Sequence, residues 1–302
     1  MPHRAFGALS AALAALLAFG PAAADDLTEV GRIVWRGDGD RFGGFSGLEI
    51  SADGTRIVTV SDRGAIARAR LSRRDGKLVG VEAATLQPLT WANGASLTSF
   101  QSDAEGLAGD VDGRLYVSFE GFHRVARIEA GETRLRWLAR PPAFDRLQNN
   151  SGLEAVALDM QGRLITLPER SGALDRPFPV HRRDAAGWTQ PYTLRRDPPF
   201  LPVGADLGPD GRLYLLERHF TGIGFATRIR SFALGPAGLA DERQHLRSVG
   251  GTYDNLEGIA AWRDSDGAIR LLAISDDNFH FLQRTELVEF RLEHAKAAEN
   301  WP

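Results

Sequence analysis

Acidic residues recur at similar places in a hairpin pattern that is repeated along the chain. In residues 102–120, SDAEGLAGDVDGRLYVSFE, Glu105 opens a first apolar run and Glu120 closes a second, with the turn Asp112-Gly113 between them. Folding at this turn brings both acids to the same edge of the hairpin. Carboxylates gathered in this way either retain protons near neutral pH or bind a cation. The chemistry indicated is therefore metal binding by oxygen ligands.

The repeated pattern predicts two sets of metal ligands. The inner set opens the first strand of its hairpin and contains Glu105, Glu154 and Glu257. The outer set follows the second strand and contains Asp62, Glu120, Glu169, Glu217, Asp276 and Asp277. Oxygen ligands in a chain without cysteine favour a hard divalent cation, Ca²⁺ first with Mg²⁺ as the alternative. A single acid at a strand end commonly caps a loop instead, but a solvated acid has no reason to recur near so many turns.

Basic residues directly follow three of the outer acids, at Arg63, Arg170 and Arg218. A guanidinium beside a metal site suits bidentate binding of a phosphate or carboxylate, so a small anionic or ester substrate is expected. The alternative for each arginine is a structural ion pair with its neighbouring acid. His219 is a candidate general acid or base, with a structural role as the alternative. The sequence contains no serine elbow, zincin motif or P-loop.

The elements that would position these residues form a repeat. Five hairpins have their turn glycines at positions 54, 113, 162, 211 and 267, at intervals of 59, 49, 49 and 56 residues. A period of this length built from hairpins is typical of β-propeller blades, which must stack on one another to bury both faces. The sequence therefore predicts an all-β fold, a single β-propeller of four-stranded blades. Five blades are favoured and six remain open, with one blade closed by strands from both termini.

The first residues of the chain predict its cellular compartment, and the net charge restricts the kinds of partner it can bind. Residues 1–24 contain Arg4 as the only formal charge, an apolar core and small residues before Asp25, which predicts a secretory signal peptide followed by one domain at 25–302. In a Gram-negative cell this indicates the periplasm, with release from the cell as the alternative. The formal net charge of −3 argues against a nucleic-acid partner. After cleavage of the signal peptide, we expect a monomeric protein that does not insert into the membrane.

Several short motifs resemble the phytase-like domain proteins of bacteria, a family described as "esterase-like activity of phytase". They are GGFSGL at 43–48, SDRG at 61–64, NSGLE at 150–154, LER at 216–218, NLEG at 255–258, SDDNF at 275–279 and QRT at 283–285. The resemblance implies a secreted β-propeller, akin to the calcium-dependent propeller phytases, with hydrolase activity on esters or phosphoesters. The lysine-rich phosphate sites expected of a true phytase are not apparent in this sequence.

Two functional hypotheses follow. The first is a metal-dependent hydrolase of ester or phosphoester bonds, of which a lactonase is a variant. The second is a non-catalytic periplasmic propeller in which Ca²⁺ is structural and one face binds a ligand or a protein.

Overall fold

Nearly all regular structure in the described part of the chain is β-strand. The computed structural model describes residues 26–148, 151–236 and 238–293. The predicted signal peptide at 1–24 lies outside the described residues. Within them, neither of the two short helices, Ser99–Ser102 (α1) and the 3₁₀ helix Pro142–Arg146, is long enough to cross a membrane.

The strands form five antiparallel sheets, each of which is one propeller blade. Blade 1 contains β2 (Phe45–Ile50), β3 (Arg56–Ser61), β4 (Ala65–Arg74) and β5 (Lys77–Pro88). Blade 2 contains β7 (Ala104–Gly109), β8 (Leu115–Phe119), β9 (Arg124–Ile128) and β10 (Arg134–Trp137), with the short β6 (Thr90–Trp91) at its edge. Blade 3 contains β11 (Leu153–Leu158), β12 (Leu164–Pro168), β13 (Phe178–Asp184) and β14 (Gly187–Leu194). Blade 4 contains β15 (Leu201–Leu207), β16 (Arg212–Phe220), β17 (Phe225–Gly235) and β18 (Gly238–Arg247). Blade 5 contains β19 (Asn255–Arg263), β20 (Ile269–Asp276), β21 (Glu286–Leu292) and β1 (Leu27–Val34).

The first two strands of every blade are joined by the same kind of turn. In each case the turn glycine donates its N–H to the carbonyl three residues earlier, from Gly54 to Ser51 in blade 1 and from Gly113 to Asp110 in blade 2. The equivalent bonds in blades 3 to 5 start at Gly162, Gly211 and Gly267. These are the five glycines that mark the repeat in the sequence, so each repeat corresponds to the inner hairpin of one blade.

The five first strands contact one another in a closed ring, in the order β2, β7, β11, β15, β19 and back to β2. Five hydrophobic clusters lie between neighbouring blades, one at each interface of the ring. At the interface of blades 4 and 5, for example, Leu216 packs in one cluster with Leu271 and Phe290, and all three are fully buried. Fully burying such a side chain stabilises the fold by about 1.5–3 kcal/mol. The stability of each blade therefore depends on its neighbours.

The first and last strands of the described residues meet in blade 5, where β1 pairs antiparallel with β21. This confirms the prediction that strands from both termini close one blade. The predicted fold class is also confirmed, with five blades rather than six. No sixth blade fits in the long interval between Gly54 and Gly113, because the long hairpin of β4 and β5 takes up much of it.

Candidate metal centre at the channel mouth

The inner acids lie at a β-bulge that is repeated in every blade. The pairing of β7 with β8 shifts by one residue at Glu105, and the inner hairpins of blades 3 and 5 shift at Glu154 and Glu257. In blades 1 and 4 the same shift falls at Ser46 and Val203. A bulge leaves one residue outside the ladder and turns its side chain away from the regular alternation. The inner acids are thus placed by the backbone, near the end of the hairpin opposite the turn.

A small residue follows the bulge because neighbouring first strands approach closely there. A Cβ atom on Gly106 would clash with the backbone oxygen of Glu154 in the next blade. The same clash would occur between Gly204 and the backbone oxygen of Glu257. The acid-glycine pairs of the sequence therefore reflect a bulge next to a tight contact between blades.

The outer acids are also equivalent in three dimensions. The N–H groups of Asp62, Glu120 and Glu169 each donate to the carbonyl two positions before the bulge residue, at Gly44, Asp103 and Gly152. In blade 5, Asp276 pairs with Asn255 at the corresponding position. The outer acids of four blades therefore lie beside the inner acids, at the mouth of the channel opposite the turns.

Electrostatic interactions connect these carboxylates across the ring. Glu105 interacts with Glu154, Asp103, Glu257 and Glu120, and Glu154 with Glu169, Glu120 and Glu257. Asp62 interacts with Asp103 and Glu257, and Asp276 with Glu257 and Asp62. We call this set the mouth carboxylates; its members are Asp62, Asp103, Glu105, Glu120, Glu154, Glu169, Glu257 and Asp276. It joins blades 1, 2, 3 and 5.

Burial and mutual repulsion raise the pKa of several mouth carboxylates. Burial first, and then neighbouring carboxylates, raise the pKa of Glu105 and Glu154 well above the usual range. The same causes raise the pKa of Asp62 and Glu120 to about 7, and that of Asp276 to about 8. The cluster holds protons near neutral pH unless positive charge replaces them.

Asp103 is a candidate metal ligand that the sequence pattern did not predict. Asp103, Glu105 and Glu120 each offer a carboxylate oxygen, and these oxygens lie within 4.8 Å of one another. Asp103 comes two residues before Glu105, and Asn255 comes two residues before Glu257. An oxygen-bearing side chain two positions before an inner acid was therefore a signal available in the sequence.

Asn255 adds an unsatisfied oxygen to the same region. Its side chain is 1% exposed, and its amide nitrogen donates to Glu257 Oε1 at 2.7 Å. The Oδ1 atom has no hydrogen-bond partner. A buried carbonyl oxygen without a donor is costly, and a cation is a natural partner for it.

Arg218 is the fixed positive charge among the mouth carboxylates. It lies 3.0 Å from Glu257 and 3.5 Å from Glu169. Burial alone would lower the pKa of Arg218, but Glu257, Glu169, Glu154 and Asp276 raise it above its ordinary value. In blade 4, Arg218 pairs with Leu201, two positions before the bulge, and so occupies the place that an outer acid holds in the other blades.

The prediction that Glu217 joins the outer acids is wrong in position. Glu217 pairs with Pro202 and is therefore one residue out of register with the other outer acids. A shift of one residue moves a side chain to the opposite face of a sheet. Its carboxylate is fully buried between Arg228 and Arg230, at 2.7 and 2.6 Å. In the sequence, Glu217 follows its turn glycine by six residues, whereas Glu120 and Glu169 follow theirs by seven.

The structure also separates His219 from the mouth carboxylates. His219 alternates with Arg218 on β16, so the two side chains leave opposite faces of the strand. The ring of His219 lies 6.0 Å from that of Phe200, a residue that also contacts the Glu217 partner Arg228. The side chain of His219 therefore lies away from the mouth carboxylates.

The two remaining arginines are more exposed than Arg218. Arg170 contacts Glu169 at 3.3 Å and keeps about half of its side chain exposed. Arg63 lies over the ring of Phe279, with its guanidinium carbon 3.3 Å from the ring centre, and donates to the carbonyl of Asp40 at 2.5 Å. Both arginines lie at loops on the mouth side of the molecule, because both follow second strands that end there.

Asp277 is already engaged by its own loop. Its Oδ1 accepts hydrogen bonds from the N–H groups of Gly44 at 2.9 Å and Phe279 at 3.1 Å, and its Oδ2 accepts from Thr285 at 3.0 Å. Asp277 thus ties blade 5 to blade 1, beside Asp276.

A Ser–His–Asp arrangement lies elsewhere, at the outer part of blade 4. Ser231 Oγ is 2.6 Å from His245 Nε2, and His245 Nδ1 is 2.6 Å from Asp26 Oδ1. These connections are those of a hydrolase triad. However, Ser231 is fully buried and its oxygen already accepts a hydrogen bond from Arg212 at 2.8 Å. The arrangement therefore serves to attach the N-terminal segment to blade 4, since a substrate cannot reach the hydroxyl.

Comparison with known families gives one match. The family model named Phytase-like, described as esterase-like activity of phytase, matches residues 40–279. This range contains all of the mouth carboxylates. No match to a curated protein sequence was found.

Several solved structures resemble the chain at low identity. A gluconolactonase from Xanthomonas campestris is 16% identical, with a TM-score of 0.45, over 82% of this chain and 72% of that one. The PQQ-bound aldose sugar dehydrogenase from Streptomyces coelicolor is 12% identical, with a TM-score of 0.45, over 89% and 99%. A luciferin-regenerating enzyme is 12% identical, with a TM-score of 0.47, over 88% and 98%. At these values the similarities do not bear on the activity of this chain.

Proposed function

The chain belongs to the Phytase-like family, described as esterase-like activity of phytase, and from this premise we propose that it is a metal-dependent hydrolase of ester or phosphoester bonds. The proposed site is the set of mouth carboxylates, and the proposed cation is Ca²⁺, with Mg²⁺ as the alternative. Its substrate is a small anionic or ester molecule. The proposal includes a periplasmic location and a monomeric state, both of which rest on the sequence alone.

The observation that carries the proposal is the convergence of buried and half-buried carboxylates, which Arg218 neutralises only in part. Asp103, Glu105 and Glu120 provide oxygens within 4.8 Å of one another, and Asn255 provides an unpartnered carbonyl oxygen beside Glu257. Only oxygen ligands are present in this set, which fits Ca²⁺ or Mg²⁺ and disfavours metals that prefer nitrogen or sulfur. The residues therefore fit the cation.

The other residues at the mouth can bind and orient a substrate. When bound, a divalent cation would neutralise the carboxylates and polarise the ester or phosphoester group. Arg170, whose guanidinium is half exposed, can donate two hydrogen bonds to an anionic group.

The proposal is tested with p-nitrophenyl phosphate and short p-nitrophenyl esters, before and after treatment with EDTA. We expect turnover that EDTA abolishes and added Ca²⁺ restores. Glu105→Gln removes one carboxylate from the cluster and should lower turnover at limiting Ca²⁺ by roughly tenfold or more. The matched control is Asp112→Asn in the turn of the same hairpin, which is exposed on the opposite side of the blade and should behave as the wild type. No EDTA-sensitive turnover on any of these substrates would sink the hydrolase.

A second candidate is a non-catalytic propeller whose metal is structural. The observation that favours it is a group of exposed apolar side chains on mouth-side loops, with Ile223 99%, Phe281 87% and Val249 77% exposed. Such side chains are typical of interaction surfaces. This candidate predicts a rise in melting temperature on adding Ca²⁺ without turnover of any of the substrates above.

A further inference from the structure

A cavity of about 480 Å³ lies on blade 3, beside the mouth carboxylates. Its walls come from the 3₁₀ helix Pro142–Arg146, the loop after β12, and the outer strands β13 and β14. We call it the blade-3 cavity. Its volume is large enough for a small polar group of a ligand.

The lining of the blade-3 cavity is basic. Arg146, Arg170 and Arg176 line it, together with the amides of Gln148 and Gln190. No Asp or Glu lines it in the part of the chain that the structure describes. Arg146 forms no ion pair within residues 26–148, 151–236 and 238–293. A cavity with three guanidinium groups, in a chain with a formal net charge of −3, is complementary to an anion.

His181 provides a second observation that points to a ligand. It lines the cavity, is 2% exposed, and its Nε2 atom has no hydrogen-bond partner. Burial lowers the pKa of His181 to about 4, so the imidazole is neutral at neutral pH. A buried polar atom without a partner is rare in folded proteins and is usually satisfied by a ligand, an ion or a water.

The cavity is connected to the mouth carboxylates through Arg170. This residue lines the cavity and contacts Glu169, which in turn contacts Arg218. Arg196 holds the loop that carries Arg170 in place, because it donates hydrogen bonds to Ser171 Oγ and to the carbonyl of Ala173, both at 3.0 Å. The cavity therefore has a fixed position relative to the mouth carboxylates.

We propose that the blade-3 cavity binds a carboxylate or phosphate group of the substrate other than the group that is hydrolysed. Arg146 and Arg176 are the binding residues, and Arg170 lies between the bound anion and the mouth carboxylates. The inference rests on the proposed function for identifying the anion as part of the substrate. It names the substrate class as an ester or phosphoester that carries a second, separate anionic group.

The first test measures inorganic phosphate binding to EDTA-treated full-length protein by calorimetry, so that bound metal cannot contribute. We expect Arg146→Gln and Arg176→Gln each to weaken phosphate binding by about tenfold or more, as for the loss of a charge-assisted hydrogen bond. The control, Arg74→Gln, removes an exposed arginine from the outer hairpin of blade 1 and should bind phosphate as the wild type does. A melting curve of each variant verifies that it is folded. No binding by the wild type, or equal binding by all variants, overturns the inference.

The second test compares two esters in the presence of Ca²⁺: p-nitrophenyl acetate and a p-nitrophenyl monoester of a dicarboxylic acid, which keeps one free carboxylate. Arg146→Gln and Arg176→Gln should raise KM for the second ester by about tenfold and leave KM for the first unchanged. An unchanged KM for both esters overturns the inference and leaves the proposed hydrolase intact. Phosphate binding that the variants weaken, without turnover of either ester, supports the cavity as an anion site and sinks the hydrolase instead.

Discussion

At the scale of single residues, a buried carboxylate is available to bind a cation only if no positively charged side chain already neutralises it. Glu217 and Glu105 are both buried acids near the end of an inner hairpin. Glu217 lies between two arginines, whereas Glu105 lies among other acids. A buried carboxylate without a partner must take up a proton or a cation, because ionisation in a low-dielectric setting is costly. Glu105 is therefore suited to metal binding, and Glu217 to holding its blade together.

The Ser231 hydroxyl gives a prediction at this scale. Ser231→Ala should leave ester turnover unchanged, because Ser231 is fully buried and is hydrogen-bonded to Arg212 and His245. It should lower the free energy of unfolding by about 1–3 kcal/mol, since two buried polar groups lose their partner. Turnover and denaturant unfolding measured on the same preparation check both parts. Loss of turnover in a variant that is still folded would show that the Ser–His–Asp arrangement is catalytic.

Most, though not all, of the predicted ligands could be placed from the sequence. The inner acids and Glu120 and Glu169 were found because they keep similar offsets from a turn glycine. The register error at Glu217 arose because the pairing of β15 with β16 is set by the bulge at Val203, which the sequence pattern does not reveal. Asp103 and Asn255 precede the repeated motif, and the sequence pattern does not show that the bulge brings their side chains beside the inner acid of the same blade.

At the scale of the strand, the bulge and the small residue after it form one unit. The bulge at Glu105 turns the acid out of the ladder, and Gly106 then allows β7 to approach β11. The hairpins themselves were predictable, because their turn glycines and alternating apolar residues are local features. The bulges were not, since they depend on the contact between blades.

Gly106→Ala tests this unit. The added methyl group would clash with the backbone oxygen of Glu154, so we expect a loss of about 1–3 kcal/mol in the free energy of unfolding and a weaker response to Ca²⁺. The control is Gly80→Ala in β5, where an added Cβ would lie 3.8 Å from Ser72 and no strain is expected. Denaturant unfolding with and without Ca²⁺ provides the comparison. Equal stability of the two variants would mean that the close approach of β7 and β11 is unimportant.

At the scale of the whole molecule, the mouth carboxylates couple the stability of the propeller to pH and to cations. They come from blades 1, 2, 3 and 5, so any repulsion among them acts across the ring. The five interblade cores oppose this repulsion. The balance between the two should depend on how many mouth carboxylates are ionised.

The sign of the pH dependence follows from the raised pKa values. Asp62 and Glu120 have a pKa of about 7 and Asp276 of about 8 in the folded protein, against about 4 in an unfolded chain. At pH values between the unfolded and folded pKa, the folded state binds more protons than the unfolded state, so the free energy of unfolding decreases as pH rises. We expect the melting temperature of EDTA-treated protein to be lower at about pH 8.5 than at about pH 6, and Ca²⁺ to restore more of it at the higher pH. A melting temperature that is flat or rising over this interval contradicts the prediction.

The repeated bulge has a consequence for how such a protein can change over time. The backbone presents five equivalent positions at the channel mouth, and this chain fills three with glutamate, one with serine and one with valine. The backbone positions and the side chains that occupy them can therefore change independently. A single codon can add or remove a carboxylate while the hairpin, its turn and its interblade contacts stay the same. Relatives with this propeller can thus gain or lose mouth carboxylates without refolding.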